Sequence, residues 1–308
     1  MSKIPVGQTI ASSYRFVFRK YFSLLGIAWL PLAIMSVASY FYVRMTLAPA
    51  AAIEAGPYNF ALLIPFYLVI LGLLVVTAMG IIKEALGIRH GSPFAYFHFG
   101  ADELRAAGAI LLLAVIVYVA IAVVAIIGGI IGAIAIGVHA ANGETPLEAE
   151  PMRAALQVIG IIMGMLFLLG IVGFYFAVRL GYLLLPAAAA EHKFGIGRSW
   201  VLTRGNFWRA TAVTFVTTLP VVTINLIIAW VTLGPVYAGI LNHLGDADAL
   251  AAQAGQMQQL LRAQLQYLPY LSALGLIVSP VTYGLLFVPA ALSYRALAPG
   301  EPVAATFD

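Results

Sequence analysis

Residues with catalytic or metal-binding chemistry are scarce in this sequence. The chain has no cysteine, and its five histidines form no metal-ligand spacing such as HExxH. It has no Gly-rich phosphate-binding loop and no GxSxG nucleophile motif. No Asp or Glu lies in the middle of a long apolar stretch, where a proton-coupled transporter or an intramembrane aspartyl protease needs one. The sequence therefore predicts no enzyme activity, no catalytic residue, no metal and no cofactor.

A few polar residues do lie within apolar stretches. Arg179 is the most prominent, because an uncompensated guanidinium deep in a bilayer is costly. It could form an anion or headgroup site, pair with an acid such as Glu84, or extend its charge to the cytoplasmic interface. Thr214, Thr218 and Asn225 fall near one helical face. This face could line a polar cavity, or it could hydrogen-bond neighbouring helices.

The composition identifies the environment of the chain. Of its 308 residues, 63% are hydrophobic and only 9% are charged, whereas soluble domains carry about a quarter charged residues. So little charge cannot cover a soluble domain with polar surface, which argues against soluble proteins and nucleic-acid binders. The net charge of +4 is not a nucleic-acid signal, since the basic residues follow a membrane topology.

Long apolar runs predict one all-α membrane domain over residues 1–308. A spanning helix needs about 20 mostly apolar residues, and six stretches qualify. The third and fourth are longer than a bilayer requires, so either could tilt, protrude or break. Neither contains the polar turn that a division into two spans would need. The predicted spans are 21–43, 60–82, 106–138, 154–186, 208–240 and 267–294.

The basic residues predict the orientation of these spans. Most Lys and Arg residues fall on one side of the six-span arrangement, and the other side has only Arg44, Arg153 and Arg262. The positive-inside rule then places both termini in the cytoplasm. In the last outer loop, leucines and Met257 recur at helical spacing between Leu250 and Leu268, which predicts an amphipathic helix on the outer surface.

Two cytoplasmic segments combine aromatic and basic residues. Residues 7–20 place Ile10, Tyr14, Val17 and Phe18 on one stripe, which predicts an amphipathic helix lying in the lipid headgroup layer. Tryptophan suits the membrane interface and arginine suits anionic lipid. The predicted phospholipid-contacting residues are Arg15, Arg19, Arg198, Trp200, Arg204, Trp208 and Arg209.

One of these segments also carries a family resemblance. The stretch Arg179–Glu191 has an Arg-Leu pair, a leucine run, a proline and a final glutamate, and Gly197–Arg209 reads GRSWVLTRGNFWR. Together they resemble a bacterial family that includes the membrane domain of some glycerophosphoryl diester phosphodiesterases and the small YciC-like inner-membrane proteins. The resemblance implies a six-span helical domain in the bacterial cytoplasmic membrane. It implies no activity, because catalysis in the fused proteins belongs to a separate soluble barrel.

Two function hypotheses follow from these observations. A third, an intramembrane enzyme, lacks candidate catalytic residues in the sequence. The first is a non-enzymatic membrane protein that contacts phospholipid as an envelope scaffold, a lipid-handling module or an accessory subunit. The alternative is a transporter or channel for a lipidic or small anionic solute, using Arg179 and the Thr/Asn face. A membrane-protein partner or a second copy of the chain remains open in both.

Overall fold

The computed structural model describes residues 2–46, 58–89, 97–141, 149–242 and 268–298, and all regular structure in these ranges is α-helical. The predicted all-α fold class is therefore confirmed. The predicted outer helix between Leu250 and Leu268 lies almost entirely outside the described residues. The helices are α1 (Val6–Arg19), α2 (Tyr21–Thr46), α3 (Tyr58–Leu86), α4 (Ala101–Ala141), α5 (Ala149–Gly181), α6 (Leu184–Glu191), α7 (Ile196–Leu202), α8 (Phe207–Asn242) and α9 (Leu268–Leu297).

Six segments of the described chain are long and apolar enough to cross a membrane. Each overlaps one predicted span, and together they identify a multi-pass membrane protein. The segments are Tyr21–Tyr42, Leu63–Leu86, Ala101–Ile130, Leu166–Glu191, Phe207–Ile227 and Ser272–Leu297.

The long helices pack tightly at one end of the bundle and expose apolar side chains at the other. In α3, Ile64 and Tyr67 are exposed, whereas Met79 and Ile82 are fully buried. The helices α2, α4, α8 and α9 show the same division, with burial at the end where the sequence predicts cytoplasm. Lipid tails are as apolar as leucine, so exposure costs these side chains little. We call the packed end, which contains α1, α6 and α7, the inner end.

Helix α1 packs against the bundle through one face, and its place in the headgroup layer stays a prediction. Its bounds agree with the predicted 7–20, but its buried stripe is Thr9, Ser13, Phe16 and Val17. Phe18, predicted on the apolar stripe, is 63% exposed. The shift arises because α1 contacts α8 and α9, and periodicity alone cannot show which protein surface a helix will meet.

The fourth predicted span, 154–186, is not one continuous helix. Helix α5 ends at Gly181, and the short helix α6 begins at Leu184. Pro186 has no N–H, so the carbonyl of Tyr182 lacks its usual helical donor. The Ser199 hydroxyl accepts a hydrogen bond from the Leu183 N–H at 3.2 Å, so this backbone donor at the break has a partner. The break therefore needs no polar turn in the local sequence.

Candidate functional site: the inner end of the bundle

Arg179 lies in the last turn of α5 and is only 7% exposed. Its Nη1 donates to the Tyr175 hydroxyl at 2.7 Å, its Nη2 to the Trp200 carbonyl at 2.9 Å, and its Nε to the Thr203 hydroxyl at 3.2 Å. The guanidinium also lies 3.9 Å from the centre of the Trp200 ring. Among the described residues the guanidinium forms no ion pair with an acid, so the predicted pairing with Glu84 is not seen. Because the side chain is buried, it does not extend into an exposed interfacial position either. Its position near a helix C-terminus is favourable for a cation.

Two hydroxyls spaced four residues apart, in α7 and at its end, form hydrogen bonds to the backbone at the end of α5. Ser199 donates to the carbonyl of Arg179 at 3.1 Å, and the Thr203 hydroxyl lies 3.1 Å from the same carbonyl and 2.7 Å from the carbonyl of Ser199. Both side chains are completely buried. The Trp200 between them stacks on Phe176 of α5 at 5.8 Å. This part of the motif therefore joins α7 to α5.

Asn206 and Arg209 hold the N-terminal segment against the start of α8. The Asn206 Oδ1 accepts the backbone N–H of Ile4 at 3.1 Å, and its Nδ2 donates to the carbonyl of Ser2 at 3.1 Å. Arg209 donates to the carbonyl of Ile4 at 2.9 Å. Ile4 is fully buried. These contacts hold Ile4, which precedes α1, in the packed core.

Glycine is required at the α6–α7 connection. Gly195 has a φ of +70°, and a Cβ there would collide with the carbonyl oxygen of Leu184. Just before it, His192 is the one described non-glycine residue with a positive φ, at 53°. The close approach lets α7 fold back over α6, whose face Pro186–Ala189 is buried.

Acidic side chains at the inner end are paired with cations from neighbouring elements. Glu103 is fully buried and accepts from Lys83 Nζ at 2.7 Å and from the Gly100 N–H at 3.0 Å. Asp102 lies 3.3 Å from Lys83 Nζ and 2.9 Å from His192 Nδ1. This group joins the end of α3 to the start of α4.

Two further acids complete the network. Glu84 accepts from Arg89 at 2.6 Å and from Ser23 at 3.0 Å. Glu191 accepts from Arg198 at 2.6 Å and from Tyr294 at 2.9 Å. Buried polar groups with partners favour one helix arrangement. Among the described residues, no group of three or more His, Asp or Glu side chains is placed to hold a metal ion.

The residues predicted to contact phospholipid separate into two groups. Arg198, Trp200 and Arg209 hold other parts of the protein through the contacts described above. The others are exposed: Arg15, Arg19, Arg204 and Trp208, with Trp208 77% exposed.

Exposed aromatic residues extend this second group. Phe18 is 63% exposed and Phe22 is 83% exposed, and they alternate with the exposed Arg15 and Arg19 along the chain. We call Arg15, Phe18, Arg19 and Phe22 the α1–α2 cluster, and Arg204 with Trp208 the α8 cluster. Aromatic rings beside cations suit the interface between hydrocarbon and headgroups.

Two of the three polar residues predicted inside the fifth span bond to their own helix. Thr218 donates to the carbonyl of Thr214 at 2.7 Å, and Asn225 donates to that of Val221 at 2.8 Å. Asn225 is exposed on the apolar part of α8. These bonds satisfy Thr218 and Asn225 within α8, whereas the buried Thr211 hydroxyl of the same helix has no hydrogen-bond partner among the described residues.

Several residues that organise the inner end were missed by sequence reasoning. Ser199, Thr203 and Asn206 belong to the resemblance motif, but only Trp and Arg within it were predicted to be functional. Tyr182 was also missed; its hydroxyl lies 2.8 Å from Ser293 Oγ and fixes the α5–α6 break to α9. The i, i+4 spacing of the two hydroxyls was the available signal, because such residues share one helical face.

Comparison with known proteins does not extend this description: no protein-family model, curated protein or solved structure matches the chain. The resemblance to the membrane domain of glycerophosphoryl diester phosphodiesterases and to YciC-like proteins therefore stays a prediction. The class that the fold defines is an all-α multi-pass membrane protein.

Proposed function

We propose that the protein is a non-enzymatic phospholipid-contacting protein of the bacterial cytoplasmic membrane, with both termini in the cytoplasm. In this role it acts as an envelope scaffold, a lipid-handling module or an accessory subunit. The observation that carries the proposal is the exposure of Phe18, Phe22 and Trp208 beside exposed arginines. Exposed aromatic side chains of this size are unfavourable in water and favourable at a membrane interface.

Charge at the inner end supports contact with anionic lipid in particular. The acids Glu84, Asp102, Glu103 and Glu191 all lie in ion pairs within the protein. The α1–α2 and α8 clusters present exposed arginines on the protein surface. Each Lys or Arg near an anionic membrane surface contributes about 1 kcal/mol to binding. Together Arg15, Arg19 and Arg204 would contribute about 3 kcal/mol, or roughly a hundredfold in affinity.

Transport has less support from the described residues. Arg179 is occupied by Tyr175, Trp200 and Thr203, and Thr218 and Asn225 of α8 bond to their own helix. The predicted solute pathway would need Arg179 and the Thr/Asn face to line one cavity, and none of these residues lines the two cavities found among the described residues. We therefore place contact with phospholipid first.

The test is lipid retention by the purified full-length protein. Wild-type protein and the variant R15Q/R19Q/R204Q are exchanged into mixed micelles containing phosphatidylglycerol or phosphatidylcholine, and bound lipid is counted by native mass spectrometry. We expect selective retention of phosphatidylglycerol by the wild type and a large loss in the variant. Retention should also fall with added salt, since exposed charges are screened.

A matched control removes the same charge elsewhere. The variant R44Q/R153Q/R262Q neutralises three cations that the sequence places on the opposite side of the membrane, and it should keep the wild-type preference. Equal retention of both lipids by the wild type, or equal loss in both variants, would contradict the proposal. Size-exclusion chromatography confirms that each variant remains folded.

A further inference from the structure

A hydroxyl-lined groove of about 280 Å³ lies between α2 and α9. Ser36 and Ser39 of α2 face Ser272 and Ser279 of α9 across it, and Tyr283 lies at one end. It shares α2 with Phe22 of the α1–α2 cluster but includes none of the residues of either cluster, and it belongs to the apolar part of the bundle. A water molecule occupies about 30 Å³ in the liquid, so the groove has room for a polar group of several heavy atoms.

Several threonine hydroxyls in the other spans bond to their own helix. Thr77, Thr217 and Thr218 each donate to the carbonyl of the residue four positions earlier, at 2.7–2.9 Å. Such bonds make a hydroxyl compatible with hydrocarbon, because no donor is left without an acceptor.

The groove brings together several hydroxyls that lack such a bond. Within the described part of the chain, Ser36, Ser39, Ser272 and Tyr283 make no side-chain hydrogen bond, and all four are half-buried. Ser279 donates to the carbonyl of Leu276 at 2.7 Å, which Pro280 leaves without its helical donor. Hydrocarbon cannot satisfy a hydroxyl, so these four favour an occupant that can form hydrogen bonds.

The depth of the groove limits the occupant. At about 1.5 Å rise per residue, Ser36 lies about 22 Å along α2 from Tyr21, within a hydrocarbon layer of about 30 Å. With Tyr21 on the cytoplasmic side, the groove lies in the outer half of the membrane. None of its described lining residues is charged, so the groove offers no cation to form an ion pair with a phosphate. The chemistry matches an uncharged lipid with hydroxyl and ester groups.

We propose that the groove between α2 and α9 binds the glycerol and ester region of an uncharged lipid such as diacylglycerol. This site extends the proposed lipid-handling function and uses none of the residues of the two aromatic–basic clusters. Either proposal can therefore fail without the other. The serines would donate to ester carbonyls, and the acyl chains would extend along the exposed apolar faces of the helices.

The test is photo-crosslinking of the full-length protein in phosphatidylcholine vesicles. A diazirine-bearing diacylglycerol and the equivalent phosphatidylglycerol serve as probes, and labelled peptides are identified by mass spectrometry. We expect diacylglycerol to label peptides from α2 and α9 in preference to phosphatidylglycerol. The variant S36A/S39A/S272A should label about twentyfold less, since an interhelical hydrogen bond in a membrane is worth roughly threefold in binding.

A second pair of variants separates binding from misfolding. A Cβ at Gly275 or at Gly170 meets open space, so neither position resists a larger side chain. Gly275→Leu fills the groove and should abolish labelling, whereas Gly170→Leu on α5 should label like the wild type. Equal labelling by all variants, or stronger labelling by phosphatidylglycerol, would overturn the proposal.

A second copy of the chain is the competing occupant. Since the chain has no cysteine, Ser39→Cys introduces a single thiol at the groove. A disulfide between copies in the membrane, together with no loss of label in Gly275→Leu, would show that protein covers the groove and would overturn the proposal.

Discussion

Replacing Arg179 with methionine should remove the contact that joins α5 to α7. The guanidinium donates three hydrogen bonds, to Tyr175, Trp200 and Thr203, and stacks 3.9 Å from the Trp200 ring centre. The bonds to Trp200 and Thr203 run between helical segments, where a hydrogen bond in a membrane averages about 0.6 kcal/mol, and a desolvated cation–π contact contributes about 2 kcal/mol. We therefore expect Arg179→Met to lower the free energy of unfolding by at most about 3–4 kcal/mol. The desolvation penalty of the buried guanidinium, which the methionine variant does not incur, makes the loss smaller.

The assay is reversible unfolding in mixed micelles with increasing mole fraction of sodium dodecyl sulfate, followed by circular dichroism. Arg204→Met is the matched control, because Arg204 is exposed at the same end, and it should change stability by less than about 0.5 kcal/mol. A double-mutant cycle with Trp200→Leu should show a coupling energy of at least about 1 kcal/mol. An unaltered unfolding midpoint for Arg179→Met, or additive effects in the cycle, would refute this explanation of the buried charge.

Three further substitutions test other contacts of the inner end by the same unfolding assay. Gly195→Ala should destabilise by at least about 2 kcal/mol, because φ is +70° and the added Cβ collides with a carbonyl oxygen. Asn206→Ala should cost about 1–3 kcal/mol and make the residues before α1 sensitive to protease, since two hydrogen bonds to Ser2 and Ile4 are lost. Lys83→Met should cost about 3 kcal/mol or more, because it removes the cation 2.7 Å from a fully buried glutamate.

Each of these substitutions has a control in the same chain. Gly197→Ala, where a Cβ meets open space within α7, should be neutral or slightly stabilising. Asn225→Ala removes an exposed amide that bonds only its own helix, and it should leave the N-terminal segment protected. Arg105→Met removes a half-exposed partner of Asp102 and should cost less than about 1 kcal/mol. A control as damaging as its test variant would contradict the corresponding argument.

The spanning helices could be predicted from the sequence because a bilayer requires long apolar runs regardless of which helices become neighbours. Each candidate span overlaps a predicted one. The α5–α6 break could not be predicted this way. Its compensation comes from Ser199, which is 16 residues away in sequence from the Leu183 N–H that it accepts. Pro186 was the local signal, but a proline alone does not distinguish a kink from a break.

Only part of the candidate site could be predicted from the sequence, because local pattern shows which residues lie near span ends but not which helices they contact. Exposure of Arg15, Arg19, Arg204 and Trp208 agrees with the amphipathic pattern and with their location at span ends. Trp200 resembles an interfacial anchor in sequence, yet its ring lies against the guanidinium of a different helix. Aromatic and basic residues near a membrane surface serve packing and lipid contact equally well, and only the tertiary structure separates the two uses.

The most direct test of the account is the side of the membrane on which the inner end lies. Because the chain has no cysteine, single cysteines can be labelled with a membrane-impermeant maleimide in intact bacterial cells. Lys193→Cys, at an exposed position beside α6, should react only after the membrane is permeabilised. Glu54→Cys, which the sequence places in the opposite loop, should react in intact cells. Labelling of Lys193→Cys in intact cells would contradict the account, because its exposed cations would then face away from the cytoplasm.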